Sequence, residues 1–455
     1  ILTNICKKVK REVVKMTKKR AAFHNLGCKV NSYETESAVQ TLISKGYEIV
    51  PFEPGADIYI INTCSVTNIA DKKSRQMLHK AKAMNPDALV IAMGCYAQVA
   101  SEKLEMDEAV DVIIGNNRKA ELAGIIDRYE KEKAERIFVD DLSHGSDYER
   151  MFISEPGEHI RGFMKVQDGC NQFCSYCIIP YARGRIRSRS IEDALKEARD
   201  LAQKGCSEVV LSGIHLSSYG KDLKENVSLI DLIRSIHEVE GIKRIRLGSL
   251  EPGIVTEEFA ASISALSKIC PHFHLSLQSG CDKTLKAMNR RYTAAEYSER
   301  CAILRKYFDD PSITTDVITG FPGETEEDFE ESYDFVNSIG FFETHIFPYS
   351  RREGTKAASM KGQLTEAVKK ERAARLISLG EEKHRAHLEK LVGKEIEVLF
   401  EEKQTIGSKE YWVGHTAKYE KAAVKDDGRN LRNVMAVVMV ESIDAIGTGL
   451  LARLK

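Results

Sequence analysis

The chain has 455 residues, 42% of them hydrophobic and 30% charged, which is typical of a soluble globular protein of about two to four domains. It has no run of about 18 apolar residues, which excludes a predicted membrane-spanning helix, and its net charge of −1 leaves only local basic clusters available to bind phosphates. Eleven cysteines, an odd number, in a long chain without a secretory signal argue against a disulfide framework and predict a cytoplasmic protein with free thiols.

The N-terminal segment is strongly basic, and the first methionine is Met16. We therefore treat residues 1–20 as a basic extension and exclude residues 1–15 from fold reasoning. Its cations are Lys7, Lys8, Lys10, Arg11, Lys15, Lys18, Lys19 and Arg20.

Between residues 21 and 140, short apolar runs alternate with helical patterns. This alternation is typical of βαβ units in a parallel sheet, and it predicts an N-terminal open parallel α/β domain followed by a polar linker at 141–160. The strands are predicted at 21–26, 57–62, 88–93 and 110–114, and the helices near 34–44, 71–84 and 120–133.

A second alternating series predicts a central domain at residues 161–390. Six βα repeats are fewer than the eight of a closed TIM barrel, so we expect a partial (βα)6 TIM-type barrel. Its strands are predicted at 162–167, 208–211, 244–247, 273–277, 313–318 and 342–347.

From residue 394 the pattern changes to short strands separated by glycine turns. This change predicts a small all-β barrel without a helix at residues 391–455. Its strands are predicted at 395–401, 411–416, 421–424 and 434–441.

Three cysteines of the first domain occupy equivalent places in its repeat. Cys28, Cys64 and Cys95 each lie just past the C-terminal end of a predicted strand. Because these ends line one edge of an open parallel sheet, where ligands bind, we expect the three thiols to converge. The alternative is three unrelated small buried residues, since free cysteine packs as a hydrophobe.

A second cysteine triad, Cys170, Cys174 and Cys177, follows the first central strand with the spacing C-x3-C-x2-C. Iron–sulfur clusters normally take four thiolates, so three leave an open iron position. Zinc, with His159 as fourth ligand, is the alternative, but structural zinc usually takes paired C-x2-C knuckles. We read the remaining cysteines as packing or surface residues: Cys6, Cys206, Cys270, Cys281 and Cys301.

The motif C-x3-C-x-aromatic-C at the first strand end of a partial barrel resembles the radical S-adenosylmethionine (SAM) superfamily. The added three-cysteine domain and C-terminal barrel are similar to its methylthiotransferases, over residues 21–455. The stretch 164–184 is most similar to the branch that acts on N6-threonylcarbamoyladenosine (t6A) in tRNA. The C-terminal segment, with Gly414-His415-Thr416 and Tyr419, resembles the RNA-binding TRAM domain.

This resemblance implies SAM and two [4Fe-4S] clusters as cofactors. The cluster on Cys170, Cys174 and Cys177 would cleave SAM to a 5′-deoxyadenosyl radical that removes hydrogen from C2 of the adenine at position 37. The auxiliary cluster on Cys28, Cys64 and Cys95 would hold the sulfur that a second SAM methylates. A low-potential electron donor of flavodoxin or ferredoxin type and a sulfur donor are also implied.

The resemblance further implies that SAM is contacted from successive strand ends of the barrel. Each of these signals is weak alone, because a glycine at a turn usually only makes a turn, and their recurrence is the stronger argument. The expected contacts are Tyr176, Gly213, Ser249, Glu251, Gln278 and Gly320.

An arginine series and a group of aromatic residues are candidates for substrate contact. The arginines would neutralise tRNA phosphates or bind the threonyl carboxylate, and the alternative is a solvated face. Rings in the C-terminal barrel would stack on unpaired bases, although Trp412 is equally expected in the core. The residues are Arg183, Arg185, Arg187, Arg189, Tyr411, Trp412, His415 and Tyr419.

Three alternative functions stay open at this point. The same chemistry would suit isopentenyladenosine in tRNA or an aspartate of a ribosomal protein, as in sibling branches. A non-catalytic RNA-binding protein with structural metal would need a fourth ligand at each triad, and the sequence offers none convincingly placed near either.

Overall fold

A computed structural model describes residues 18–133, 135–153, 160–445 and 447–455. The expectations for residues 1–17, including Cys6, and for His159 lie outside the described residues. No helix in the described ranges is long and apolar enough to cross a membrane.

The first domain is a parallel sheet with the order β2–β1–β3–β4–β5–β6, which confirms the predicted α/β class. Its central strand β3 is buried along its whole length, as expected where helices cover both faces of a sheet. The short edge strands β2 and β6 were not predicted. The elements are β1 (Arg20–Asn25), α1 (Lys29–Ser44), β2 (Glu48–Ile49), β3 (Ile58–Thr63), α2 (Asn68–Met84), β4 (Leu89–Gly94), α3 (Cys95–Val99), α4 (Ser101–Glu105), β5 (Val112–Ile114), α5 (Leu122–Glu132) and β6 (Ile137–Phe138).

The central domain has the six predicted parallel strands, in the two sheets β10–β9–β7–β8 and β11–β12–β13. Single bridges at Ile245–Ile269 and Leu250–Leu275 join the sheets, which gives a partial barrel open between its first and last strands. The short antiparallel strand β8 was not predicted. The strands are β7 (Arg161–Asp168), β8 (Arg187–Ser188), β9 (Glu208–Gly213), β10 (Arg244–Leu247), β11 (His272–His274), β12 (Ser312–Thr319) and β13 (Glu343–Pro348).

The helices of the central domain connect these strands and begin at recognisable caps. Ser228, Thr293 and Thr325 each form a capping box with the carboxylate three residues later, which satisfies amide donors at the first helical turn. The helices are α6 (Ile179–Arg183), α7 (Ile191–Gln203), α8 (Leu229–His237), α9 (Glu257–Ser264), α10 (Asp282–Ala287), α11 (Ala294–Tyr307), α12 (Glu326–Ile339) and α13 (Glu366–Glu389).

The C-terminal part is a closed barrel with the strand order β14–β15–β16–β18–β17. Its neighbouring strands are antiparallel except for β16 and β18, which are parallel. The sequence predicted four of its strands and missed β18, whose parallel pairing with β16 closes the barrel. Trp412 is 6% exposed and donates its indole N–H to the Arg429 carbonyl, so it belongs to the core and does not offer a ring to RNA. The strands are β14 (Glu395–Ile406), β15 (Lys409–Thr416), β16 (Lys421–Lys425), β17 (Met435–Ile443) and β18 (Leu450–Leu454).

A buried ion network joins the first domain to the central barrel. Glu34, on α1, accepts hydrogen bonds from Lys165 at 2.7 Å and Arg183 at 2.9 and 3.0 Å, and it also pairs with Lys119. Asp168 pairs with Lys165 and Arg183 from the opposite side. All of these side chains are at most 3% exposed, so their charges fix how the two domains sit against each other.

The C-terminal barrel is attached through the turn that contains Tyr419. Arg246, on β10, donates to the carbonyls of Thr416 and Ala417 at 3.1 and 3.0 Å. Its guanidinium lies 4.9 Å from the centre of the Tyr419 ring. The His272 ring is also stacked on Tyr419, with 4.7 Å between the ring centres. Tyr419 is thereby packed against the ends of two central strands.

Candidate active site

The first cysteine triad lies at the C-terminal ends of three adjacent strands. Cys28 follows β1 and is the N-cap of α1, Cys64 follows β3 directly, and Cys95 begins α3 after β4. Burial raises the pKa of the Cys64 thiol to about 11, and the neighbouring thiols of Cys95 and Cys28 raise it further. Cys28 and Cys95 are therefore close enough to Cys64 to affect its pKa, and their joint binding of a cluster stays a prediction.

The amide of Asn116, after β5, donates to the sulfur of Cys95 at 3.6 Å. The guanidinium of Arg183 is close enough to Cys95 for a thiolate there to raise the arginine's pKa, against the lowering effect of burial. The fourth strand end and the interdomain ion network thus support this triad.

The second triad lies on the loop between β7 and α6. Gly169 opens this loop with φ of +68°, and a Cβ atom at that position would lie 1.8 Å from the Arg185 carbonyl oxygen, so only glycine fits. Burial raises the pKa of Cys170 to about 11 and that of Cys177 to about 12, and the Cys174 thiol adds to both effects. The three thiols are therefore close enough to affect one another's pKa values.

Arg290 lies beside this loop and is nearly buried. Its Nη1 donates to Cys174 Sγ at 3.4 Å, and its Nη2 donates to the Ser276 carbonyl at 3.2 Å. A fixed cation at this place would partly balance the negative charge of a metal-bound thiolate. The sequence analysis missed Arg290, which follows α10 and carries no recognisable motif.

One cysteine of the first triad and all three of the second line one cavity of about 810 Å³. Its wall includes Cys28 from the first domain, all three cysteines of the second triad, and Tyr419 from the C-terminal barrel. All three parts of the chain therefore contribute to a single site.

The predicted SAM contacts divide into two groups. Gly320 is not among the described residues that line the cavity; its φ is +69° and a Cβ there would meet the Lys369 side chain at 2.4 Å, so its glycine serves the turn. The structure thus places Gly320 away from the cavity lining, and the contacts of the other five residues with SAM stay predictions. The residues that line the cavity are Tyr176, Gly213, Ser249, Glu251 and Gln278.

Glu251 is the acidic group nearest the second triad in this set. Its carboxylate accepts a hydrogen bond from Gln172 at 3.2 Å and lies 3.4 Å from His215 Nε2. Burial raises the pKa of Glu251, but the hydrogen bond and charge of His215 outweigh it, so the pKa lies below its ordinary value. The cavity therefore holds an ionised carboxylate that can bind a ligand ammonium.

The arginine series does not form an RNA-facing surface. Arg183, Arg187 and Arg189 are at most 2% exposed and pair with buried carboxylates, Arg189 with Glu197 at 2.7 Å. Their predicted contact with RNA is wrong, because their guanidinium groups are buried and paired with carboxylates inside the protein. Arg185 alone of the four is exposed, lying 4.8 Å from the Phe173 ring centre.

A polar wall that the sequence analysis missed is formed by side chains of β11, β12 and β13. His274 Nδ1 is 3.0 Å from the Thr314 hydroxyl and its Nε2 is 3.3 Å from the Asp316 carboxylate. His345 stacks on His274 at 5.8 Å, and the donor atoms of His274, Asp316 and His345 lie within 4.8 Å of one another. The alternating pattern His272-x-His274, which starts one residue before the strand predicted at 273–277, was the available signal, since alternate residues of a strand share a face.

The donor chemistry of both triads fits a four-iron cluster. Each offers three thiols, which leaves one iron of such a cluster without a protein thiolate, and each has at least one cysteine on the cavity wall. The other cysteines of the described ranges are buried among different neighbours, and burial raises the pKa of each: Cys206, Cys270, Cys281 and Cys301.

Comparison with known families agrees with this arrangement. The profile described as "Radical SAM superfamily" matches residues 164–336, and the one described as "Uncharacterized protein family UPF0004" matches residues 20–115. The first match contains the second cysteine triad, and the other contains the first triad.

Curated relatives align with nearly the whole chain. Threonylcarbamoyladenosine tRNA methylthiotransferase MtaB of Bacillus subtilis is 39% identical, over 92% of this chain and 94% of the relative. The protein of the same name from Aquifex aeolicus is 42% identical, over 86% and 95%. tRNA-2-methylthio-N(6)-dimethylallyladenosine synthase of Moorella thermoacetica is 39% identical, over 85% and 88%.

Solved structures agree at the level of the fold. The radical S-adenosylmethionine methyltransferase TsrM from Kitasatospora setae, with cobalamin and a [4Fe-4S] cluster bound, superposes with a TM-score of 0.55 at 14% identity, covering 73% of this chain and 75% of that one. With relatives of 39–42% identity over most of its length and a cysteine triad inside each of the two matched regions, the chain belongs to the radical SAM methylthiotransferase family.

Proposed function

We propose that this protein is the enzyme that inserts a methylthio group at C2 of N6-threonylcarbamoyladenosine at position 37 of tRNA, beside the anticodon. The observation that carries the proposal is that Cys28 and the triad Cys170, Cys174 and Cys177 line the same cavity. The similarity to two threonylcarbamoyladenosine tRNA methylthiotransferases, at 39% and 42% identity, supports the choice of nucleoside. Since tRNA is the substrate, we place the enzyme in the cytoplasm.

The residues of the cavity have separable tasks under this proposal. When bound, the [4Fe-4S] clusters and SAM supply radical generation at one triad and sulfur delivery at the other. Cys170, Cys174 and Cys177 would hold the first cluster and Cys28, Cys64 and Cys95 the second, each with three thiolates.

The neighbouring wall is suited to bind SAM. Glu251 presents an ionised carboxylate that would accept hydrogen bonds from the ammonium of SAM. Gly213 has no side chain, so its backbone can approach a ligand closely, and Tyr176 and Ser249 lie on the same cavity wall. A flavodoxin- or ferredoxin-type reductant and a sulfur donor complete the proposed reaction.

Mass spectrometry of tRNA nucleosides from a deletion strain tests the substrate. We expect the methylthio group to be lost from threonylcarbamoyladenosine alone and restored by the wild-type gene. Loss from isopentenyladenosine, or from a ribosomal protein, would refute the proposed substrate and identify a sibling activity.

Iron content tests the two cluster sites. Anaerobically purified protein is expected to hold about eight irons per chain, and a variant with alanine at Cys28, Cys64 and Cys95 about four, because each site then holds one four-iron cluster. Cys206→Ala is the matched control and should retain about eight. Incubation with SAM and a strong reductant should release 5′-deoxyadenosine, whereas zinc in place of iron would support a non-catalytic metal protein.

A further inference from the structure

Lys29 lies at the junction of the two halves of the cavity. It is the first residue of α1, directly after Cys28, and both residues line the cavity wall. Its side chain is accessible to solvent through the cavity. Within the described ranges its ammonium forms no ion pair and donates no hydrogen bond, so this cation is available to a ligand.

Two carboxylates of the cavity wall lie beside histidines. Asp316 lies 3.3 Å from His274 Nε2, and Glu343 lies 3.9 Å from His345 Nδ1. The other cation of the cavity, Arg290, is bound to Cys174 and to the Ser276 carbonyl. The charge of Lys29 is therefore the one that an incoming anion would meet next to the first triad, among the described residues of the wall.

Resting on the proposed function, we propose that Lys29 binds the carboxylate of the threonyl group and thereby selects the carboxylated nucleoside over one with an apolar side chain. A carboxylate is the only charged group on this modified base, and an isopentenyl group offers nothing to an ammonium. A site built to hydrogen-bond a substrate group rejects analogues that lack it, because its own polar group is then left unpaired.

The His274 wall provides matching hydrogen-bond partners for the neutral part of the same side chain. The Thr314 hydroxyl and the imidazoles of His274 and His345 face the cavity on the barrel side. A carbamoyl group and a hydroxyl could bond these groups while the carboxylate binds Lys29. The subsite thus spans the first domain and the barrel.

The test uses reconstituted enzyme with SAM and two anticodon stem-loop RNAs, one with the free threonyl carboxylate and one with that carboxylate as its methyl ester. We expect wild-type enzyme to bind and methylthiolate the free acid about 10- to 100-fold better, since a hydrogen bond to a charged group has this magnitude. Lys29→Gln should lose this preference through weaker use of the free acid, and Lys29→Arg should keep much of it.

The controls separate this inference from its premise. Lys45→Gln, at the other end of α1, should behave as wild type, and Lys29→Gln should keep its iron content. If Lys29→Gln retains the wild-type preference, the inference is refuted while the proposed function stands. A preference abolished by a chelator of divalent cations, and not by the substitution, would assign carboxylate binding to a metal at His274, Asp316 and His345 and also refute it. If wild-type enzyme modifies neither RNA, the proposed function itself fails.

Discussion

Replacing Glu34 with glutamine removes one charge from the network that joins the first domain to the barrel. Glu34 is 1% exposed and faces three cations, Lys119, Lys165 and Arg183. The glutamine side chain is nearly isosteric with that of glutamate, so the packing around position 34 is unchanged. The lost stability is therefore electrostatic. Lys165 and Arg183 then still pair with Asp168, whereas Lys119 loses the carboxylate with which it pairs.

Removing one partner from a buried ion pair costs about 3–5 kcal/mol, because the charge left behind stays desolvated. For folding units of about 150–250 residues, each kcal/mol lowers the unfolding midpoint by about 2–4 °C. We therefore expect Glu34→Gln to lower the midpoint of the unit containing the network by about 6–20 °C. Glu36→Gln, on the same helix but only partly buried, is the matched control and should change it by no more than about 2 °C.

Thermal unfolding of both variants, followed by calorimetry at several pH values, provides the measurement. Burial raises the pKa of Glu34, but Arg183, Lys119 and Lys165 outweigh it and lower the pKa below its ordinary value of 4.5. Its stabilising effect is therefore fully present above pH 4.5 and is lost only as the pH falls through the depressed pKa. The gap between wild type and variant should be constant from about pH 8 to 5 and narrow in acid; equal midpoints at pH 7 would refute the reasoning.

Three further predictions concern the second triad and its surroundings. Gly169→Ala should prevent a cluster from binding on the loop between β7 and α6, which lowers the iron content from about eight to about four per chain. Gly124→Ala, with open space around its Cβ position, should keep the full iron content. Full iron in the Gly169→Ala variant would contradict the steric argument. Arg185→Ala should reduce the slope of log affinity for tRNA against log salt by about 1, and an unchanged slope would mean that this exposed arginine makes no phosphate contact. Arg290→Met removes a cation 3.4 Å from Cys174 Sγ. Because nearby charge tunes iron–sulfur potentials, we expect the reduction potential of the cluster on the second triad to fall by on the order of tens of millivolts in a redox titration followed by electron paramagnetic resonance. An equal or higher potential would argue against this role.

The positions of the cysteines could be predicted because they depend on local periodicity. Cys28, Cys64 and Cys95 follow successive strands, and the C-terminal ends of parallel strands share one edge. That rule places side chains correctly without knowledge of any long-range contact. The partial barrel followed from the same counting of strands and helices.

The arginines were predicted wrongly because their environment depends on residues distant in the sequence. Arg183 pairs with Glu34, which lies 149 positions earlier in the chain, and no local pattern announces this partner. A run of alternating arginines resembles a phosphate-binding surface when its partners are unknown. Lys29 was missed for the same reason, since its proposed role depends on the position of its ammonium group on the wall of the folded cavity.

The position of Tyr419 has a consequence for how one nucleotide is chosen. The turn that carries it is held by Arg246 and by stacking on His272, so the C-terminal barrel cannot swing freely relative to the cavity. An RNA grasped by that barrel would present its loop at a set length from the reacting atoms. The enzyme would then select position 37 by its distance from the barrel that holds the RNA. It would not need to recognise the neighbouring bases.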